Sequence, residues 1–260
     1  EYPVEGLVYG AIAFSTIAKG VISHIDTTAA EQAPGVIHLF THLNTRAMKA
    51  PAPFSIGGEP SAGGSAVRVL NTDRISWNGQ PIALVVADTE ERAEYAASLV
   101  AATYTVEEAD TSFESAIAHA VTPKDVLGES PELVKGDPDA VLRSAPHRVD
   151  LAFTTPPYNH NAIEPHAAIA VWEGKDRLTV FDTSQFTAGG ANSLADIFGL
   201  KKENVKLLAP FVGGGFGGKG TMWFYNHLCA MAAREIGKPV RIALSRKGVF
   251  RIVGGRTPSK

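Results

Sequence analysis

The sequence predicts an α+β fold, and three observations carry that prediction. Pro81 to Ala87 is a continuous apolar run of strand length followed by a helix-patterned segment. Ala167 to Trp172 and Leu178 to Phe181 are two short apolar runs close enough to pair as strands. A glycine-rich loop then lies between a predicted strand, Val205 to Ala209, and a predicted helix, Thr221 to Ile236.

Taken in order, the chain up to about residue 118 alternates apolar runs with glycine and proline breaks, giving strands such as Leu7 to Phe14 and Val36 to Thr41. After Pro81 to Ala87, Asp88 and Glu91 form a capping-box-like helix start. Ala93, Ala96, Ala97 and Val100 then recur at helical spacing, a small-residue face able to lie close on a sheet, and Ala101 to Val106 is the next strand. From about Thr111 to Ala145 the breaks at Pro123, Gly128, Pro131, Gly136 and Pro138 erase strong periodicity. This predicts a first domain over 1–118, a linker over 119–145 and a second domain over 146–260. In the second, Val149, Leu151 and Phe153 alternate with polar residues as a strand would. Ala191, Leu194, Ala195 and Phe198 give a short amphipathic helix stopped by Gly199. Gly237 and Pro239 end the helix after the loop, before the strand Val240 to Leu244.

With 260 residues, 45% hydrophobic and 20% charged, the chain can bury a sizeable core. Its formal charge of −3 and scattered lysines and arginines leave no basic stripe for a phosphate backbone, so nucleic acid is not the expected partner. A single cysteine, Cys229, excludes a cysteine-ligated iron–sulfur cluster or zinc site built from this chain alone. No apolar run reaches the roughly 20 residues that span a bilayer. The chain opens at Glu1 without methionine and stops at Thr257-Pro258-Ser259-Lys260 just after an apparent strand, so both ends are expected to be cuts.

Gly213-Gly214-Gly215-Phe216-Gly217-Gly218-Lys219 holds five glycines before a lysine at what the sequence makes a helix mouth, where backbone N–H groups attract anions. A tight connection needing positive φ would use some of these glycines. Their density, with an apolar Phe216 among them, argues for a ligand approaching the main chain. Gly213-x-Gly215-x-x-Gly218, with Glu235 beyond it, fits the dinucleotide fingerprint, yet only one predicted strand follows. The phosphate-loop pattern is nearly satisfied too, but Gly220 stands where a hydroxyl would hold Mg²⁺.

Other residues are weighed on spacing. His160 and Glu164 are one turn apart only in a helix, which the flanking Pro156, Pro157 and Pro165 disfavour, so a cleft-lining extended segment is expected. His227 and Cys229 are two apart on one helix and point to different faces, with Cys229 expected in the core. Met222, Trp223 and Phe224 read as core, or as a face against a missing remainder of the protein, rather than as a substrate cage. Lys219 is left with two partners, a cofactor phosphate or a carboxylate elsewhere.

The loop resembles the pterin-cofactor loop of the xanthine oxidase/aldehyde oxidase family, and the likeness extends along the chain. Thr183-Ser184-Gln185 is similar to the family's upstream segment whose glutamine approaches the molybdenum ligands. Leu194-Ala195-Asp196-Ile197-Phe198-Gly199-Leu200 and Asn159-His160-Asn161-Ala162-Ile163-Glu164-Pro165 resemble family segments on either side of it. Trp77-Asn78-Gly79-Gln80-Pro81 through Ala87 resembles the α/β hammerhead domain, as do Ser15 to Gly20 and Ala33 to Val36. The resemblance implies a hammerhead domain followed by the first part of a molybdopterin-binding α+β domain. It implies molybdopterin with molybdenum, the cytosine dinucleotide form being common in bacterial members, and hydroxylation of aldehydes or N-heterocycles with water as the oxygen source. Cofactor contact is carried over to Gln185, Gly214, Gly215, Phe216, Gly217 and Gly218, and substrate contact to Gly220, where purine-oxidising relatives have a glutamate. The family's catalytic glutamate lies far downstream of the loop, so no catalytic residue and no direct metal ligand is assigned here. Activity is then expected only in assembly with a downstream polypeptide carrying the rest of the cofactor domain, an iron–sulfur subunit holding 2Fe-2S clusters and a flavin subunit holding FAD. Two other classes remain open on the residues alone: a non-catalytic scaffold completing a split cofactor site, and a nucleotide-binding protein using the loop.

Overall fold

The computed structural model describes residues 3–56, 58–64, 69–126 and 129–260; Glu1 and Gly128 lie outside them. The first half holds strands β1 (Val8–Phe14) and β2 (Gly20–Asp26), helix α1 (Thr28–Glu31) and strands β3 (Val36–Thr41), β4 (Arg74–Ile75) and β5 (Pro81–Ala87). Helix α2 (Glu90–Ser98), strand β6 (Ala101–Val106) and the short helices α3 (Phe113–Ala116) and α4 (Pro138–Ser144) follow. The second half holds β7 (Tyr158–Asn159), β8 (Ala167–Glu173), β9 (Arg177–Asp182), α5 (Thr187–Phe198), β10 (Val205–Leu208), α6 (Phe224–Ile236), β11 (Val240–Ala243), α7 (Arg246–Ile252) and β12 (Gly255–Arg256).

Two compact units result. The larger joins residues 1–109 with 159–254, and the smaller holds 110–158 with 255–260. In the larger, a seven-stranded sheet runs β10-β9-β8-β11-β1-β5-β3, and a three-stranded sheet runs β4-β2-β6. The seam is the parallel pairing of β1 with β11, Val8 opposite Val240 and Gly10 opposite Ile242, so strands from both halves of the sequence share one sheet. In β5 all seven residues are buried because both of its faces are covered. Leu84 and Val86 join a core with Leu228, Met231 and Ile242, while Ala83 and Val85 join a second with Ala96 and Ile25. That alternation explains why the run is apolar throughout. Leu84 is wholly buried. Leu84→Ala is expected to lower stability by about 3 kcal/mol, measured by urea unfolding, since it opens a cavity that a strand hydrogen-bonded on both sides cannot close.

Several local expectations are corrected. Helix α2 is capped by Thr89, whose side chain accepts from Arg92 N, and not by Asp88. The Asp88 amide is held by Gly35 O in the sheet's register, and its carboxylate is ion-paired with Arg92. Val149, Leu151 and Phe153 lie in no strand and are exposed, since alternation by itself supplies no hydrogen-bonding partner. Near the chain's end the apparent strand is helix α7, capped by Ser245, whose Oγ accepts from Gly248 N at 3.1 Å. Helix α6 starts at Phe224, three residues later than the pattern suggested. Trp223 is held back from the helix by its indole, which donates to Gly218 O at 2.6 Å.

Candidate functional site

The glycine loop leaves the end of β10 and returns before α6, folded on itself by Gly218 N to Gly215 O (2.8 Å) and Gly220 N to Gly217 O (3.2 Å). The helix mouth expected at the loop therefore lies beyond it, and a phosphate loop or dinucleotide fingerprint loses the helix dipole it depends on. Gly214 and Gly217 have φ of +88° and +89°, and Phe216 itself stands at +52°. At the other three glycines the protein fills the space a side chain would need. A Cβ on Gly213 would lie 2.6 Å from Glu164 Cβ, on Gly215 2.3 Å from Gln185 Oε1, and on Gly218 2.8 Å from the His160 ring. The loop's own conformation and packing thus account for the glycine density that the sequence attributed to a ligand.

Four side chains from two segments grip this loop. Gln185 Oε1 accepts from Gly217 N and Lys219 N, each at 3.2 Å, while the Gln185 backbone N–H donates to Lys219 O at 2.8 Å. Glu164 Oε2 accepts from Gly213 N and from Lys219 Nζ, both at 2.6 Å. His160 Nδ1 donates to Phe216 O at 2.8 Å and His166 Nε2 to Gly218 O at 2.9 Å. The segment between Asn159 and β8 forms no helix, turning at Asn161 (φ +44°) and bending at Ile163 and Glu164, so His160 and Glu164 meet the loop separately. Of the two partners foreseen for Lys219, the structure supplies the carboxylate. Among the described residues, the N–H groups of Gly214, Gly215 and Phe216 and the Nε2 of Gln185 have no acceptor. The Phe216 ring beside them is exposed. Gly220 is roomy: a Cβ there would meet only Gly217 O, at 3.5 Å.

Beneath the loop the site is buried and polar. Burial and the neighbouring Lys219 charge push His166 down to about 4, so it stands neutral with Nδ1 unpartnered among the described residues. For Glu164 partial burial raises the carboxyl, but the Lys219 ammonium and the Gly213 N–H outweigh it and hold the group below the ordinary glutamate range. Burial raises Asp182, which accepts from the Tyr225 hydroxyl at 2.7 Å just before Thr183-Ser184-Gln185. Cys229 lies in the core, its thiol pushed up by burial to about 12 and donating to Val240 O at 3.1 Å. Met222 and Phe224 are buried core residues. His227, one turn along α6 from Phe224, is buried and brought down to about 4 by that burial. Among the described residues no three His, Cys, Asp or Glu side chains gather to hold a metal ion. A groove of about 960 Å³, lined in part by Tyr9, Ile169, Phe181, Phe211 and Arg241, opens beside Glu164. Sequence reasoning missed His166 and the Asp182–Tyr225 pair, for which a polar residue flanking an apolar strand was the only signal.

Residues 118–260 match the model of the molybdopterin cofactor-binding domain, and residues 1–108 that of the aldehyde oxidase and xanthine dehydrogenase a/b hammerhead domain. The chain belongs to the xanthine oxidase/aldehyde oxidase family, with a hammerhead domain and part of a molybdopterin-binding domain. It is 36% identical over 241 residues to the aldehyde oxidoreductase molybdenum-binding subunit PaoC of Escherichia coli K12, covering 93% of this chain and 31% of that one. It is 31% identical over 248 residues to the xanthine dehydrogenase/oxidase of Felis catus, covering 94% and 17%. The fold superposes on aldehyde oxidoreductase from Desulfovibrio gigas with a TM-score of 0.79 at 24% identity, covering 98% of this chain and 29% of that one. Quinoline 2-oxidoreductase from Pseudomonas putida 86 gives 0.80 at 22% identity, covering 100% and 33%. The chain spans a third or less of the length of these relatives.

Proposed function

We propose that this chain supplies one side of the pterin site of a molybdenum hydroxylase that oxidises aldehydes or N-heterocycles with water as the oxygen source. The observation carrying this reading is the run of three N–H donors at Gly214, Gly215 and Phe216, left without acceptors in a loop whose other polar groups are largely engaged. Such a row suits an oxygen-rich, anionic ligand, and the glutamine Nε2 beside it adds a fourth donor. Gln185, Gly214 to Gly218 and the exposed Phe216 would hold the cofactor, in its dinucleotide form or without it. When bound, that group supplies the redox chemistry. This chain's residues bind and orient it: fixed donors need no rearrangement as ligand charge develops. The catalytic base, the 2Fe-2S clusters and FAD belong to a downstream polypeptide, an iron–sulfur partner and a flavin partner. Residues 1–118, 119–145 and 146–260 are the hammerhead, linker and cofactor-domain segments of this reading.

Mass spectrometry of the protein purified in its native assembly, with metal analysis, tests the proposal. A molybdopterin-sized increment with about one molybdenum per chain is expected, and a bare protein overturns the reading in favour of a scaffold. Gly220 further predicts the substrate class: without an acidic side chain after Lys219 the pocket lacks an acceptor for a purine. Aromatic aldehydes should therefore be turned over with higher kcat/KM than hypoxanthine, and strong hypoxanthine turnover in steady-state assays sinks that assignment.

A further inference from the structure

We propose that Glu164 is a positioning residue that closes the glycine loop into a ring and so sets the spacing of its free N–H donors; the inference rests on the cofactor-site reading above. One carboxylate oxygen, Oε2, takes both the first N–H of the loop, Gly213, and the ammonium of its last residue, Lys219, at 2.6 Å each. The two contacts differ in setting. The Lys219 side chain is 0% exposed and Glu164 32%, so the cation lies inside the protein and the anion at the rim. A buried ammonium must be paired, and Glu164 is its hydrogen-bonding partner among the described residues. The loop therefore cannot move at Gly213 without disturbing the group that neutralises Lys219.

The remaining grips fall inside this ring. Glu164 N also donates to Gly213 O at 3.2 Å, doubling the attachment at the first residue. Gln185 fixes Gly217 and Lys219, while His160 and His166 take the carbonyls of Phe216 and Gly218. What is left over is the consecutive set Gly214, Gly215 and Phe216, whose spacing depends on the closed ends. It follows that Lys219 does not offer its charge to a cofactor phosphate: that charge is already used in shaping the loop. Preorganised donors of this kind bind better because the ordering is complete before the ligand arrives.

The test uses the protein purified in its native assembly, with hydrogen exchange at amides 213–219 read by mass spectrometry and the pterin-to-protein ratio read from the same samples. Glu164→Gln keeps an acceptor for Gly213 N–H but leaves the Lys219 ammonium unpaired. Loop exchange is expected to accelerate roughly tenfold or more, and pterin retention to fall by a similar factor. Pairing Glu164→Gln with Lys219→Met removes both charges and should recover part of both losses, a rescue that a merely space-filling Glu164 would not produce. Glu164→Asp serves if Glu164→Gln does not fold; its shorter reach should also speed loop exchange. Wild-type exchange rates in the substituted protein, or a double variant worse than either single one, overturn the proposal. Absence of pterin from the unsubstituted protein is a different failure: it removes the cofactor reading and leaves loop exchange to decide the role of Glu164.

Discussion

Gly215→Ala is expected to leave the protein folded and strip it of pterin. The added methyl would lie 2.3 Å from Gln185 Oε1 and 2.4 Å from its Cδ, so the glutamine must swing away from the loop. Gln185 is exposed and free to do so, which keeps the damage local. Its departure releases the N–H groups of Gly217 and Lys219, two hydrogen bonds together worth about 1–3 kcal/mol of loop stability. It also removes the Nε2 donor from the proposed cofactor site. Thermal unfolding should shift by only a few degrees, while the pterin-to-protein ratio should fall at least about tenfold, the equivalent of 1.4 kcal/mol in binding. A variant that retains full pterin content would show that Gln185 has no part in holding the cofactor.

Acid should destabilise the larger unit well above the usual carboxylate range. His166 and His227 both stand at about 4 in the folded protein, the first through burial and the Lys219 charge, the second through burial alone. Unfolded, each titrates near 6.5. Between about pH 6.5 and 4 the unfolded chain therefore binds two protons that the folded one does not, and stability falls as pH falls. The limiting slope is about 1.4 kcal/mol per pH unit for each histidine. Below 4 the folded imidazoles protonate as well and the slope from this source ends. Glu164, held below the ordinary glutamate range, adds a further loss below about 4.5, whereas Asp182, raised by burial, works in the opposite direction. His227→Leu isolates one contribution. It removes a buried ring nitrogen that has no partner among the described residues, so stability at pH 7 should hold or rise. Urea midpoints collected from pH 7 to 4.5 should lose about half of the histidine-linked slope; an unchanged slope would refute the assignment.

Much of the larger unit was legible in the sequence. Val36–Thr41, Pro81–Ala87 and Ala101–Val106 are strands with the bounds the sequence suggested, because glycine, proline or turn residues flank each apolar run. Gly199 and Gly237 end their helices in the left-handed conformation that their positions implied. The glycine loop was found as a motif, with a tight connection and a ligand as the two reasons for its glycines. From the sequence alone its glycines could serve only a turn or a ligand, whereas Glu164, Gln185 and His160, up to 58 positions upstream, are what fill their space. The start of α6 was misplaced for a related reason: Met222, Trp223 and Phe224 look like the apolar first turn of a helix until the Trp223 indole is seen to reach back to Gly218. Long-range pairings of this sort leave no periodic trace. Lys219 and Glu164 each stood out in their own segments, but only folding brings them together.

The parallel seam between β1 and β11 also bears on how the chain is made. Val8 leaves the ribosome well before Val240, and β5 and β3 can pair beside it while synthesis continues, but its other edge is completed only when Val240 appears. At ~5–20 residues per second that edge waits on the order of ten seconds or more. An unpaired apolar strand edge is open to pairing with a neighbouring nascent chain during that interval. The late arrival of β11, rather than any single contact, therefore sets how long that edge stays open.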